Sequence, residues 1–103
     1  MTEHLTDRIR DALRVVIDPE LGFNIVDLGF VYDIAVTNSE ACITMTATTR
    51  GCPAAVFLKD GVARAATVPG IRSVNVVMTF EPPWTPAMMT NEARTELGFA
   101  NSN

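Results

Sequence analysis

Apolar positions along the chain repeat with two periods. Over residues 2–16, Leu5, Ile9, Ala12, Leu13 and Val16 recur at helical spacing, and Glu3, Asp7, Arg8, Arg10, Asp11 and Arg14 fill the opposite side. This predicts an amphipathic helix capped by Thr2 or Thr6. Asp18-Pro19 ends it, because a proline disfavours helical geometry at the residue before it. Residues 30–36 alternate instead: Tyr32, Ile34 and Val36 share one face, and Val31, Asp33 and Ala35 the other. Residues 41–48 alternate again, with Ile43, Met45 and Ala47 opposite Cys42, Thr44, Thr46 and Thr48. Thr37-Asn38-Ser39-Glu40 between them has turn composition, so the two stretches predict a hairpin.

Helical spacing returns over residues 54–66. Val56, Phe57, Val62, Ala63 and Ala66 are its apolar content, and Lys59, Asp60 and Arg64 mark its wet side. Gly61 weakens this helix by roughly 1 kcal/mol relative to alanine. After the turn at Pro69-Gly70, residues 71–80 predict a third strand with Val74, Val76, Met78 and Phe80 facing one way. The expected core face of the sheet is Tyr32, Ile34, Val36, Ile43, Met45, Ala47, Val74, Val76 and Met78, with Thr44 and Thr46 more exposed.

Local chemistry fills the gaps. Asn24 is placed to cap a single turn over residues 25–28, with Asp27 in its acidic first-turn position and Gly29 as the exit. Glu81-Pro82-Pro83-Trp84-Thr85-Pro86 is rigid and cannot be strand interior. Thr85-Pro86 opens a short helical turn, Thr90 caps a last helix over residues 91–97, Gly98 ends it, and Phe99 folds back as an anchor. The order α-β-β-α-β-α predicts a two-layer α/β (α+β) domain, a three-stranded mixed sheet with helices on one face. Strand order stays open: parallel second and third strands need a right-handed crossover, whereas a central first strand would make the sheet wholly antiparallel.

Composition narrows the class. With 48% hydrophobic and 19% charged residues, the 103-residue chain reads as one globular domain, residues 1–103. No apolar run approaches the ~18 residues of a membrane span. The polar start, Met1-Thr2-Glu3-His4, lacks the apolar centre of a signal peptide, so a cytoplasmic location is expected. Net charge is −4 and no basic stripe is visible, which argues against nucleic acid as the main partner.

The candidate chemistry centres on Thr48-Thr49-Arg50-Gly51-Cys52-Pro53. Pro53 suits the first position of a helix, which puts the Cys52 thiol at or next to the N-cap. Unpaired N–H groups and the helix dipole favour an anion there, Arg50 adds positive charge, and Gly51 permits a tight turn. Such a thiol is expected to ionise more easily than a free one. Cys42 falls on the threonine face of a strand, a place for a small side chain and not for an activated thiol. No disulfide is expected between the two. Residues 42–48 as strand span ~20 Å, and the four residues back recover at most ~14 Å. Asp18, Glu20 and Asp27 read either as turn and cap residues or as carboxylates near the thiol that help to hold a metal. Trp84, Met88 and Met89 form an apolar cluster that is either core or an adaptable docking surface. His4, near a terminus, reads as solvated.

Asp18-Pro19-Glu20, Asn24-Ile25-Val26-Asp27-Leu28-Gly29, Thr48-Thr49-x-Gly51-Cys52-Pro53, Pro82-Pro83-Trp84-Thr85-Pro86 and Leu97-Gly98-Phe99 together resemble the SufT/PaaD-like metal–sulfur cluster assembly family. The resemblance covers nearly the whole chain. It implies that family's α/β domain and a part in maturing or delivering iron–sulfur clusters, with assembly machinery and client apoproteins as partners. It maps the family's reactive cysteine onto Cys52 and its acidic loop positions onto Asp18, Glu20 and Asp27. The chain departs from the pattern at Arg50, where proline is frequent, and at Ala87, where an acidic residue is frequent. The Cys-rich tail of the longer PaaD-type members does not appear, which points away from an oxygenase-accessory role.

Cluster chemistry limits the role. Stable iron–sulfur sites use about four thiolate or imidazole ligands. One chain supplies a single well-placed thiolate, so no stably bound cofactor is expected. A homodimer joining two Cys52 thiolates, completed by a small thiol or a partner, would hold a transient cluster; an adaptor that never touches iron is the other reading within the family. Two further classes stay open. One is a thiol-based redox or acyl-transfer enzyme using Cys52, although no C-x-x-C and no nearby histidine is evident. The other is a non-catalytic interaction module using Trp84, Met88 and Met89. An assembly or carrier factor is expected over a catalyst.

Overall fold

The computed structural model describes residues 4–48 and 53–99. Helix α1 (Leu5–Ala12) continues as a 3-10 turn over Leu13–Val15, and Val16 is already extended. Its core side is the one the spacing predicts: Ile9 and Leu13 are fully buried, and Val16 is nearly so. Its start differs. His4 occupies the N-cap without a side-chain bond, and its carbonyl accepts from the Asp7 and Arg8 N–H groups. Thr6 lies inside the helix, and Thr2 lies outside the described residues. The end also comes before Asp18, because Ile17 pairs with Asn24 and pulls the chain into an extended conformation.

Strand β1 (Val31–Thr37) and strand β2 (Glu40–Met45) form the hairpin. Asn38 and Ser39 both have positive φ, 52° and 67°, the backbone of a two-residue turn that matches strand twist. Helix α2 (Pro53–Ala65) follows, then strand β3 (Ser73–Met78), which pairs parallel with β2. The sheet order is β1-β2-β3, so the sheet is mixed and the central strand is the second. Helix α3 (Asn91–Leu97) closes the order α-β-β-α-β-α.

Ile34, Ile43 and Val76 stand side by side across the three strands and pack with Ile9 and Leu13 of the first helical segment and Leu58 and Val62 of α2 in one core. The opposite face carries Ala35, Cys42 and Asn75 in register. Cys42 is a free, half-buried thiol there, with the Asn75 amide nitrogen 3.9 Å from its sulfur.

Three expectations about burial fail for identifiable reasons. Tyr32 is not a core residue. The β1–β2 register shifts between Val31 and Asp33, so Tyr32 is the extra residue of a bulge and Val31 takes the core position opposite Met45. Thr46 is fully buried, not exposed. The ladder ends at Met45, shorter than the predicted strand, and Thr46 N–H still donates to the Phe30 carbonyl at 2.8 Å. Beyond that point period-two alternation no longer applies, and Met45, Thr46 and Ala47 are all buried in succession. In α2, Val56 and Phe57 are exposed, at 74% and 67%, and Leu58 is the buried anchor. Leu58, Val62 and Ala66 follow the i, i+4, i+8 stripe that faces the sheet, and Val56 and Phe57 lie off it.

Local signals hold up better. The Thr90 hydroxyl accepts from the Ala93 N–H at 3.2 Å as the N-cap of α3. Gly98 ends the helix at φ 85°, and Phe99 N–H reaches back to the Arg94 carbonyl at 2.7 Å. The Phe99 ring itself is 44% exposed, so it is a backbone anchor and not a core one.

Candidate functional site

The loop after α1 is closed at its base by the Ile17–Asn24 bridge. Inside it Asp18 is buried, 3% exposed, and one carboxylate oxygen accepts from both the Glu20 N–H (3.1 Å) and the Leu21 N–H (2.8 Å). Its backbone completes the turn by donating to the Phe23 carbonyl and accepting from Gly22. Asp18 therefore shapes the loop and aims Glu20. The Glu20 side chain reaches across to β2's exit, where the Thr48 hydroxyl donates to its carboxylate at 3.0 Å.

Asp27 goes elsewhere. The Asn24 carboxamide oxygen caps the Asp27 N–H at 2.9 Å, and the Asn24 amide donates to one Asp27 carboxylate oxygen at 3.0 Å. The other oxygen takes the Arg14 guanidinium at 2.8 Å. Both oxygens thus have local partners, and the Asp27 carbonyl accepts the Thr90 N–H at 2.9 Å. Asp27 fastens the single turn to α1's extension and to the start of α3. Among the described residues no group of three or more His, Cys, Asp and Glu side chains gathers as a metal site.

The proline segment comes to the same end of the sheet as Thr48. Ala47, Thr48, Phe80, Glu81, Pro83 and Trp84 line one shallow cavity of about 260 Å³. Trp84 is fixed there: its indole N–H donates to the Leu28 carbonyl at 2.7 Å, and its ring meets Phe30 edge-on, centroids 5.4 Å apart. Tyr32, displaced by its bulge, donates to the Pro82 carbonyl at 2.8 Å and lies 3.6 Å from the Met88 sulfur. Trp84 and Met88 are half-buried, whereas Met89 is 5% exposed and belongs to the core. Met89 is thereby removed from any docking surface of this chain, since it is the residue on which the 3-10 turn Pro86–Met88 closes against the interior.

The structure thus brings Asp18, Glu20, Thr48 and Trp84 to one end of the molecule and leaves Asp27 outside that group. Pro53 is the first residue of α2, as its chemistry predicts. Thr49, Arg50, Gly51 and Cys52 lie outside the described residues. Glu81 lines the cavity and was not among the expected site residues; its signal was its place directly before the rigid Pro82-Pro83 pair.

Residues 6–78 match the model of the iron–sulfur cluster assembly protein family. The chain belongs to this family. It is 42% identical over 100 residues to the Fe-S protein maturation auxiliary factor YitW of Bacillus subtilis, covering 95% of this chain and 98% of that one. It is 42% identical over 86 residues to the Fe-S protein maturation auxiliary factor SufT of Staphylococcus aureus, covering 82% and 98%. Among solved structures, a domain of unknown function from Bacillus anthracis superposes with a TM-score of 0.85 at 39% identity, covering 91% of this chain and 92% of that one. The recognised motifs and the family therefore agree across most of the chain. Among the described residues no helix is long and apolar enough to cross a membrane.

Proposed function

We propose that this protein is an accessory factor that assembles iron–sulfur clusters or delivers them to client apoproteins, with the cluster as cargo and Cys52 as its transient ligand. The observation that carries the reading is the hydrogen bond from Thr48 to Glu20, in a chain whose relatives are named maturation auxiliary factors. It ties the acidic loop to Thr48, four residues before Cys52 in the sequence, and that tie supports a shared role for Glu20 and the thiol. A thiolate is a suitable soft ligand for iron, and a carboxylate is a harder one that releases it more readily. One thiolate falls short of the set that a resident cluster needs, which suits transfer. Half-buried Trp84 in that cavity, and half-buried Met88 in a neighbouring one with Tyr32 and Pro82, offer a client a rigid apolar foothold.

The test is anaerobic incubation with ferrous iron and sulfide, read by visible absorbance, followed by transfer to an apoprotein that needs a cluster. Cys52→Ser is expected to leave the melting curve within a few degrees, since serine caps a helix well, and to abolish transfer. A folded Cys52→Ser protein that matures the client at the wild-type rate would remove the cysteine from the reading. Glu20→Gln is expected to slow transfer while keeping the Thr48 contact as a neutral hydrogen bond.

A further inference from the structure

Met45, Met78, Met88 and Met89 lie among the described residues, in different surroundings. Met45 is fully buried and Met89 is 5% exposed, and both belong to the core. Half-buried Met78 packs against that core. Half-buried Met88 instead lines an open cavity of about 510 Å³ with Gly29, Val31, Tyr32 and Pro82. Its backbone is fixed there. The Met88 N–H donates to the Thr85 carbonyl at 3.0 Å, and the Met88 carbonyl abuts Gly29 so closely that no Cβ would fit between them. A fixed backbone thus presents this thioether at the cavity wall.

The Tyr32 hydroxyl lies between two acceptors, the Pro82 carbonyl at 2.8 Å and the Met88 sulfur at 3.6 Å. A phenol has one proton to donate, and a thioether is a weak acceptor beside a carbonyl, so the proton goes to Pro82. The sulfur keeps its lone pairs free to act as a nucleophile. Oxidation reverses that ranking, because it turns an apolar thioether into a polar sulfoxide whose oxygen accepts strongly. We propose that Met88 is a redox modification site at which a hydroperoxide forms the sulfoxide, and that the sulfoxide oxygen then draws the Tyr32 hydroxyl away from the Pro82 carbonyl. The step balances. A sulfur lone pair attacks one oxygen of hydrogen peroxide, the O–O bond breaks and an S–O bond forms. Sulfur is oxidised by two electrons, and the other oxygen leaves as water, carrying the proton of the transferred oxygen. What is loosened is the proline segment, two residues before Trp84, whose indole N–H donates to the Leu28 carbonyl. The site is independent of the cluster-handling role, since neither step involves Glu20, Thr48 or Cys52.

Hydrogen peroxide titrated onto the full chain tests the first step, with peptide mass spectrometry on each methionine and circular dichroism as the check on folding. Met88 is expected to form its sulfoxide roughly tenfold faster than Met45 or Met89, and ahead of Met78. Equal rates at Met88 and Met89 in the folded chain would overturn the proposal. Trp84 is the single tryptophan, so its emission reads the second step. Oxidised wild type is expected to shift in emission, and a methionine sulfoxide reductase to reverse the shift. Met88→Leu is expected to lose the peroxide-induced shift. Tyr32→Phe is expected to start at the shifted emission, to keep oxidation at Met88 and to shift no further. A Met88 sulfoxide formed with no change in emission, or a shift that persists in Met88→Leu, would sink the exchange of the Tyr32 proton.

Discussion

The loop that precedes β1 and the outer side of α2 are opposites in how they spend their side chains. In the loop, polar groups turn inward and find partners: Asp18 closes a turn, Asp27 joins Arg14 to Asn24, and Trp84 descends from the proline segment to bond the Leu28 carbonyl. On α2, two large apolar groups turn outward: Val56 and Phe57 are mostly exposed. A region whose side chains satisfy its own backbone holds a fixed shape, and that shape presents Glu20 to Thr48. A region whose large side chains are left over contributes little to folding and is free to contact something else. Substitutions should therefore be costly on the first side and nearly silent on the second.

The largest effect is expected at Gly29. Its φ is 81°, and a Cβ there would run into the Met88 carbonyl, 2.8 Å from its carbon. Gly29→Ala combines a left-handed residue with overpacking against backbone, for about 2–4 kcal/mol in urea denaturation. Asp18→Ala comes next at about 2 kcal/mol, because two backbone N–H groups of the turn lose the buried carboxylate that accepts from them. Asp18→Asn keeps an acceptor oxygen and should recover most of that loss. If both Asp18 variants were neutral, the inward-turned loop would not be the rigid half of the comparison.

Trp84→Phe isolates one bond. The ring against Phe30 is largely retained while the donor to Leu28 is lost, for about 1–2 kcal/mol by the same denaturation assay. The Arg14–Asp27 pair should give less. Arg14 is 44% exposed, so a double-mutant cycle with Arg14→Ala and Asp27→Ala is expected to report a coupling of about 0.5–1 kcal/mol that shrinks at high salt. A larger coupling would make this pair a main fastening of the loop and not a supplement to its caps.

The same division explains which features could be read from the chain. Asn24, Thr90 and Gly98 were legible because each acts on backbone groups within a few residues, and neighbours in sequence are all that a cap needs. The mixed sheet was legible as a class, since a helix between β2 and β3 permits the parallel pairing that is found. The Tyr32 bulge was not. Nothing beside Tyr32 signals an inserted residue; the partner its hydroxyl finds, the Pro82 carbonyl, lies 50 residues away. Leu58 was passed over for Val56 and Phe57 because three adjacent apolar residues cannot share a helix face, and only the sheet decides which one it takes. At the site, the acidic loop and the Thr48 segment were both recognisable, but their contact depends on a hydrogen bond between residues 28 apart, and Asp27 is drawn away from it by Arg14, 13 residues earlier.

The smallest effect is the sharpest check on the other half. Val56 is 74% exposed and lines a shallow cavity with Val74, Asn75 and Val76 of β3. Valine and serine have similar helix propensities, so Val56→Ser changes the helix little by itself. Little burial is lost either, because the side chain already faces water. The expected change in unfolding free energy lies within about 0.5 kcal/mol of zero. Urea denaturation of Val56→Ser beside wild type measures it, and Leu58→Ala serves as the internal contrast. Leu58 is fully buried, so its truncation should cost about 2–5 kcal/mol. A Val56 variant that lost stability on the Leu58 scale would mean that the outer side of α2 is packed in solution, and the contrast between a self-satisfied loop and an unspent helix face would fail.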